Sequence, residues 1–281
     1  MTIKPRLLPA GACDTHMHVF DRRFRALPGA MYREATANDY LASAREVGID
    51  RAVIVQPSGY GFDNRCTLDA LARFGSAARA IVVIPPDTTA PDVQRLDAAG
   101  VRGVRFMPMR EGMPGWDDLM PTATAIAPLG WHVNLQFDGK ELPERLALLR
   151  GLPCPCVIDH VGAFVGGTTV DSPAFDALLA LLDTGRAWVK LSGPYTYGMS
   201  RTGAPDYPEV GMLARALLRA FPQRCVWASD WPHVSEPKML SGVDLLRVAR
   251  GWAPDASSWR AITVDNPARL YGFDLRDILP N

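Results

Sequence analysis

No apolar run in the sequence reaches the ~20 residues that a bilayer-spanning helix needs. The N-terminal stretch MTIKPRLLPAGA also lacks the sustained apolar core of a secretory leader. The expected setting is therefore soluble and cytoplasmic, with no membrane partner. An excess of either charge is missing too: 30 Lys and Arg face 30 Asp and Glu, for a formal net charge of zero. That argues against a nucleic-acid partner, which needs a basic excess, but leaves room for a locally basic pocket. Cysteine is sparse, at five residues, an odd number without paired metal-type spacing. This fits reduced thiols, and Cys154 and Cys156 at the head of an apolar run read as small buried hydrophobes. No G-x-G-x-x-G follows the first apolar run, so a dinucleotide-binding fold has no support.

Short Val- and Ile-rich runs at 12–18, 52–56, 79–84, 103–107, 132–136, 156–160, 188–192 and 226–229 are nearly continuous in apolarity and bounded by Gly, Pro or Asp. Strands buried on both faces of a parallel sheet have this character. Helix-length segments lie between them, at 37–47, 67–74, 92–99, 118–127, 141–150, 174–184 and 209–220. Gly48, Gly75, Gly100, Gly130, Gly151 and Gly185 follow their ends, where a left-handed residue closes the last turn. The stretch after Asp255 (SSWRAITVDNPARLYGF) is expected to be helical. Strand and helix in alternation mean an α/β fold. Eight such units in 281 residues favour a (β/α)8 TIM barrel occupying the whole chain as one domain, since that fold needs roughly 250 residues. The connections 163–173 and 193–207 are long, and both follow strands at the barrel face that carries active sites.

The chemistry-bearing residues gather at the C-terminal ends of these strands. Strand one ends Asp14-Thr15-His16-Met17-His18, and residues two apart in a strand share a side, so His16 and His18 both face the interior. Strand six ends Asp159-His160, and strand eight ends Ser229-Asp230-Trp231-Pro232-His233. Four of the five histidines thus sit on one face, His132 alone standing at a strand start. Singly, each has an ordinary alternative: Asp159 as a turn acid, Asp230 as a turn initiator. Together they point to a site, because unpartnered polar groups in a barrel mouth cost ~1–3 kcal/mol each.

The stretches GACDTHMHVFD, AVIVQPSGYGFDN, GVRGVRFM, GWHVNLQF, VIDHVG, WVKLSG, VWASDWPH and DNPARLYGF span nearly the whole chain. In this order they resemble the amidohydrolase superfamily, in its metal-poor branch of 2-pyrone-4,6-dicarboxylate and sugar-acid lactonases. HxH alone is a weak signal; HxH with IDH and SDWPH is a strong one. The resemblance implies a hydrolase in which Asp230 takes a proton from water while His16, His18 and His160 polarise an ester carbonyl. It also implies substrate contacts at Arg105, Tyr32 and Ser58, and more loosely at Arg110. The pattern departs at Ala163, where the dicarboxylate enzymes carry Arg, and at Gln136, which replaces an aromatic residue. The strand-seven loop offers Tyr195, Tyr197 and Arg201 as substrate contacts instead, and His233 is expected to orient Asp230 or the neighbouring loops, with a direct substrate contact as the alternative. Fewer cations and more hydroxyl and amide groups point to a less charged, more hydroxylated lactone.

No cofactor is expected to be required. Arg105 and Gln136 stand where a binuclear site of this superfamily needs ligands, and neither suits a transition metal. One Zn2+ held by His16, His18 and Asp230 is the alternative. The other readings are a lactone isomerase, with a substrate hydroxyl in place of water, a metal-dependent decarboxylase, and a barrel that only binds a sugar acid. A homo-oligomer is left open.

Overall fold

The computed structural model describes residues 6–235, 241–274 and 276–280. Eight parallel strands run in sequence order around one sheet: β1 (Cys13–Met17), β2 (Arg51–Val55), β3 (Ala78–Val82), β4 (Val101–Phe106), β5 (His132–Leu135), β6 (Cys156–Ile158), β7 (Ala187–Leu191) and β8 (Cys225–Trp227). The seam closes through main-chain bonds from the end of β1 to the segment after β8: His18 N–H to the Trp231 carbonyl at 2.8 Å and Asp230 N–H to the His16 carbonyl at 2.9 Å. The expected (β/α)8 barrel is the architecture found, with every strand end within two residues of the one expected.

Outside the strands pack α1 (Ala37–Val47), α2 (Arg65–Phe74), α3 (Ala90–Ala98), α4 (Trp116–Ile126), α5 (Leu142–Arg150), α6 (Pro173–Leu182), α7 (Pro208–Ala220), α8 (Gly242–Arg250), α9 (Ala256–Arg260) and α10 (Asn266–Tyr271). The last two are joined by a π-turn, so the stretch after Asp255 is helical as expected. The helix α8 has no counterpart among the expected ones, although Ser241 caps it by accepting from the Asp244 N–H. Two glycines depart from the expected left-handed close: Gly75 ends α2 at φ +63° and ψ −142°, and Gly151 ends α5 at φ −79°, its N–H directed at the Ala147, Leu148 and Leu149 carbonyls. All five cysteines are buried and free, and burial pushes the Cys154 and Cys156 thiols up to about 11 and about 12. Among the described residues no helix is long and apolar enough to cross a membrane.

The loops after β5 and β6 cross in close contact, which sets the spacing of the site above them. A Cβ on Gly139 would run into the Gly162 carbonyl oxygen and lie 2.7 Å from the Phe164 ring. Both partners are buried, so the loops would have to separate. Gly139→Ala is expected to lower stability by ~1–3 kcal/mol, as overpacking does. Thermal melting checks this, and an unchanged midpoint would refute it.

Candidate active site

His16 and His18 meet with their Nε2 atoms 3.3 Å apart, while Asp14 reaches Tyr40 of α1, and the seam bonds bring Asp230 against the two histidines. Asp230 Oδ1 lies 3.6 Å from His18 Nε2 and 3.8 Å from His16 Nε2. The turn that carries the carboxylate is strained: Asp230 has φ +59° and His233 φ +62°. Asp14 holds that turn from below. Its fully buried carboxylate accepts from Ser229 N–H at 2.9 Å, from the Ser229 hydroxyl, from Tyr40 Oη at 3.1 Å and from His16 N–H at 3.2 Å. Burial still pushes the Asp14 carboxyl up to about 6. From the side, Tyr195 Oη donates to Asp230 Oδ2 at 2.8 Å and lies 2.8 Å from His233 Nδ1. A carboxylate can only accept, so the single phenolic proton goes to Asp230 and His233 Nδ1–H donates to the phenol oxygen.

The direction of the other hydrogen bonds follows from the same bookkeeping of donors. His18 Nδ1 is 2.7 Å from the Val55 carbonyl, which can only accept, so Nδ1–H donates to it. Lys190 Nζ is 3.1 Å from His16 Nδ1 and 3.3 Å from Asp159 Oδ1, all three groups being fully buried. His16 Nδ1 thus faces both the Lys190 amine and the Asp159 carboxylate, and His16 Nε2 lies 3.3 Å from His18 Nε2. Burial, reinforced by the Lys190 charge, drives His16 well below its ordinary range, and burial likewise lowers His160. Burial would raise Asp159, but Lys190 and His16 outweigh it and hold its carboxyl well below the usual range; Asn134 Nδ2 also donates to it at 2.7 Å. For Asp230, too, burial pushes upward and is outweighed, here by His160, His18 and His16, so the carboxylate is ionised at neutral pH.

Above these groups opens a cavity of about 270 Å³, lined among others by His18, Ser58, Arg105, Gln136, His160 and Asp230. Arg105 projects from the end of β4, where one Nη donates to the Gln56 carbonyl at 2.7 Å and the other to Gln136 Oε1; Gln136 in turn donates to Tyr197 Oη. Its Nε is buried with no partner among the described residues. Arg110 lines the same cavity from an exposed position. His160 stands at φ +50°, its Nδ1 3.0 Å from Ser192 Oγ.

The expected residues divide into three groups. His18, His160, Asp230, Arg105, Ser58 and Gln136 meet at the cavity, with His16 directly beneath. Tyr195, expected at the substrate, stands behind Asp230 instead and supports its carboxylate, backed by His233 in the orienting place expected for it rather than at the substrate. Tyr32 and Arg201 are outside the lining: Tyr32 is 41% exposed against the edge of Phe20, and Arg201 is exposed on its loop. Sequence reasoning passed over Lys190, Asn134 and Asp14. A lysine inside the apolar run WVKLSG was the available signal, since a charge there is buried and must be paired.

Whether these residues suit a metal turns first on spacing. The donor atoms of His16, His18 and Asp230 lie 3.3–3.8 Å apart, close to the roughly 3.4 Å between ligands of a tetrahedral zinc. The group His16, Asp159 and His160 is also close enough, and shares His16. Spacing therefore fits one ion held by His16, His18 and Asp230.

Residues 13–273 match the family model described as Amidohydrolase. The chain is 35% identical to a D-galactarolactone isomerase from Agrobacterium fabrum, over 94% of this chain and 91% of that protein. It is 34% identical to a 2-pyrone-4,6-dicarboxylate hydrolase from Comamonas testosteroni, over 95% and 92%. A crystal structure from Agrobacterium tumefaciens superposes with a TM-score of 0.88 at 34% identity, over 95% of this chain and 97% of that one. Eight-stranded barrel, strand-end cluster and full-length similarity agree: the chain belongs to the amidohydrolase family, on its 2-pyrone-4,6-dicarboxylate hydrolase-like branch.

Proposed function

We propose that this protein opens a small carboxylated lactone with water, using Asp230 as the base and requiring no metal. The observation that carries the reading is a buried, ionised carboxylate facing the same cavity as a buried Arg105 and the His160 imidazole. Arg105, with Arg110 beside it, pairs with a substrate carboxylate. His160 donates to the lactone carbonyl oxygen, where negative charge develops. Asp230 takes a proton from water as its oxygen bonds to the carbonyl carbon. The tetrahedral intermediate then expels the ring oxygen, and the proton on Asp230 passes to that alkoxide. Tyr195 keeps the carboxylate turned toward the reaction, and its other oxygen faces the His18 and His16 imidazoles at 3.6 and 3.8 Å.

The two cations lie beside Ser58, Gln136, Thr196 and Tyr197, which offer neutral hydroxyl and amide groups. That lining suits one carboxylate and several hydroxyls better than a second carboxylate. The D-galactarolactone isomerase similarity favours the same class, and with it a second reading, in which a substrate hydroxyl attacks instead of water. A pH-indicator assay over mono- and dicarboxylated lactones, on metal-quantified protein, tests the proposal. Proton release with a hydroxylated monocarboxylated lactone is expected, and no turnover anywhere in the panel would sink it. Arg105→Met is expected to raise KM by ~10–100-fold with a smaller change in kcat, for the loss of a charge-assisted pair of ~1.5–3 kcal/mol. An unchanged KM would make Arg105 a purely structural residue.

A further inference from the structure

We propose that Tyr197 is a specificity-determining residue whose phenolic proton, turned into the cavity by Gln136, donates to the substrate carboxylate that Arg105 pairs with; this rests on the carboxylate-binding part of the reading above. The observation is a hydrogen-bonded chain with one possible direction. Arg105 donates from one Nη to the Gln56 carbonyl at 2.7 Å and from the other to Gln136 Oε1, and Gln136 Nε2 donates to Tyr197 Oη. A guanidinium has no acceptor and an amide nitrogen accepts nothing, so neither bond can run backwards. Turning the Gln136 amide over would set two donors face to face at Arg105. Tyr197 Oη therefore uses a lone pair on Gln136 and keeps its own proton for another partner, and no acceptor for that proton lies within hydrogen-bond distance among the described residues.

The place of the phenol gives that proton a target. Tyr197 lines the cavity together with Arg105, Arg110 and Gln136. With Gln136 Oε1 turned to Arg105, this wall presents guanidinium, amide N–H and phenolic O–H groups, all of them donors. A carboxylate, which can only accept, complements such a wall, whereas a hydroxyl would bring a proton that finds no acceptor there. Burial, only partly offset by the Arg105 and Arg110 charges, raises the phenol above its ordinary range, so it keeps its proton at neutral pH. The backbone is held for this one side chain. Tyr197 stands at φ +55° in the loop after β7, its carbonyl accepting from Gly166 N–H at 2.9 Å while the neighbouring Thr196 hydroxyl donates to the Gly193 carbonyl at 2.7 Å. A bulky residue at left-handed φ is strained, and strain of this kind gathers at ligand sites. Gln136 acts here as a positioning residue, through the proton of Tyr197.

Isothermal titration calorimetry with D-gluconate, a hydroxylated monocarboxylate with no ring to open, tests this on the wild type, Tyr197→Phe, Gln136→Glu and the double variant Gln136→Glu/Tyr197→Phe. Tyr197→Phe keeps the ring and removes only the donor. It is expected to weaken gluconate by ~10–100-fold, as the loss of a hydrogen bond to a charged group does. Gln136→Glu keeps the shape and the bond from Arg105, but its carboxylate accepts the phenolic proton and turns it away from the cavity. A loss at least as large is expected. In Tyr197→Phe no proton is left to turn, so adding Gln136→Glu is expected to cost less there than in the wild type. A loss below tenfold in Tyr197→Phe, losses that simply multiply in the double variant, or a wild type that does not bind gluconate would each overturn the proposal. Calorimetry needs no turnover, so a silent lactone panel would reject the proposed reaction while the role of Tyr197 stands or falls on gluconate binding alone.

Discussion

Asp230→Asn is expected to lower kcat by about 10²–10⁴-fold, the range of a general base, while KM moves little. The amide keeps the shape of the carboxylate, and its oxygen can still accept from Tyr195 Oη, so the turn at φ +59° has no reason to rearrange. Asparagine also tolerates left-handed φ better than most residues. What is lost is the capacity to take a proton from water and return it to the leaving alkoxide. The depressed carboxyl adds a sign to the pH dependence. Asp230 sits below the ordinary ~3.9 of an aspartate. It therefore stays ionised as pH falls from 7 to 5, and its own acid limb lies below the usual carboxylate range. Steady-state kinetics of both proteins across this range check the claim. Near wild-type turnover in Asp230→Asn would remove Asp230 from the role of base.

His160→Asn is expected to cost about 10²–10³ in kcat, the loss found when one oxyanion donor is removed (roughly 2.7–4 kcal/mol). Its Nδ1 is 3.0 Å from Ser192 Oγ. With the Ser192 hydroxyl as donor to that nitrogen, Nε2–H is left for the cavity, and burial disfavours the charged ring. The position is built for this one side chain. His160, Val161 and Ala163 are all left-handed, at φ +50°, +55° and +49°, and a Cβ on Gly193 would lie 2.8 Å from His160 Nδ1. Asparagine can occupy φ +50° but is too short to reach a substrate oxygen from the same place. The kcat loss should therefore appear with an unchanged melting temperature. A fall in kcat below tenfold would assign the oxyanion to other donors.

The barrel was legible because each strand is a short apolar run closed by Gly, Pro or Asp, and because four histidines fall at strand ends. His16, His18, His160 and Asp230 could be brought together from alternation within β1 and from the order of strands alone. Arg105 and Gln136 followed from the same rule, as end residues of β4 and β5. What alternation could not show is where a side chain goes after it leaves the strand end. Tyr195 and His233 turn behind Asp230 because the strained turn after β8 faces the β7 loop, a contact between segments far apart in sequence. Arg201 and Tyr32 belong to connections whose path no periodicity specifies. Lys190 was hidden for the opposite reason: its strand reads as apolar, and only the depth at which Asp159 and His16 meet it explains how the charge is tolerated.

The most direct test of the account is turnover of a hydroxylated, monocarboxylated lactone by chelator-treated, metal-quantified protein in oxygen-18 water. The account predicts ring opening at an undiminished rate, with one solvent oxygen in the new carboxylate of the product. Turnover that follows the metal content, or product free of solvent oxygen, would contradict it.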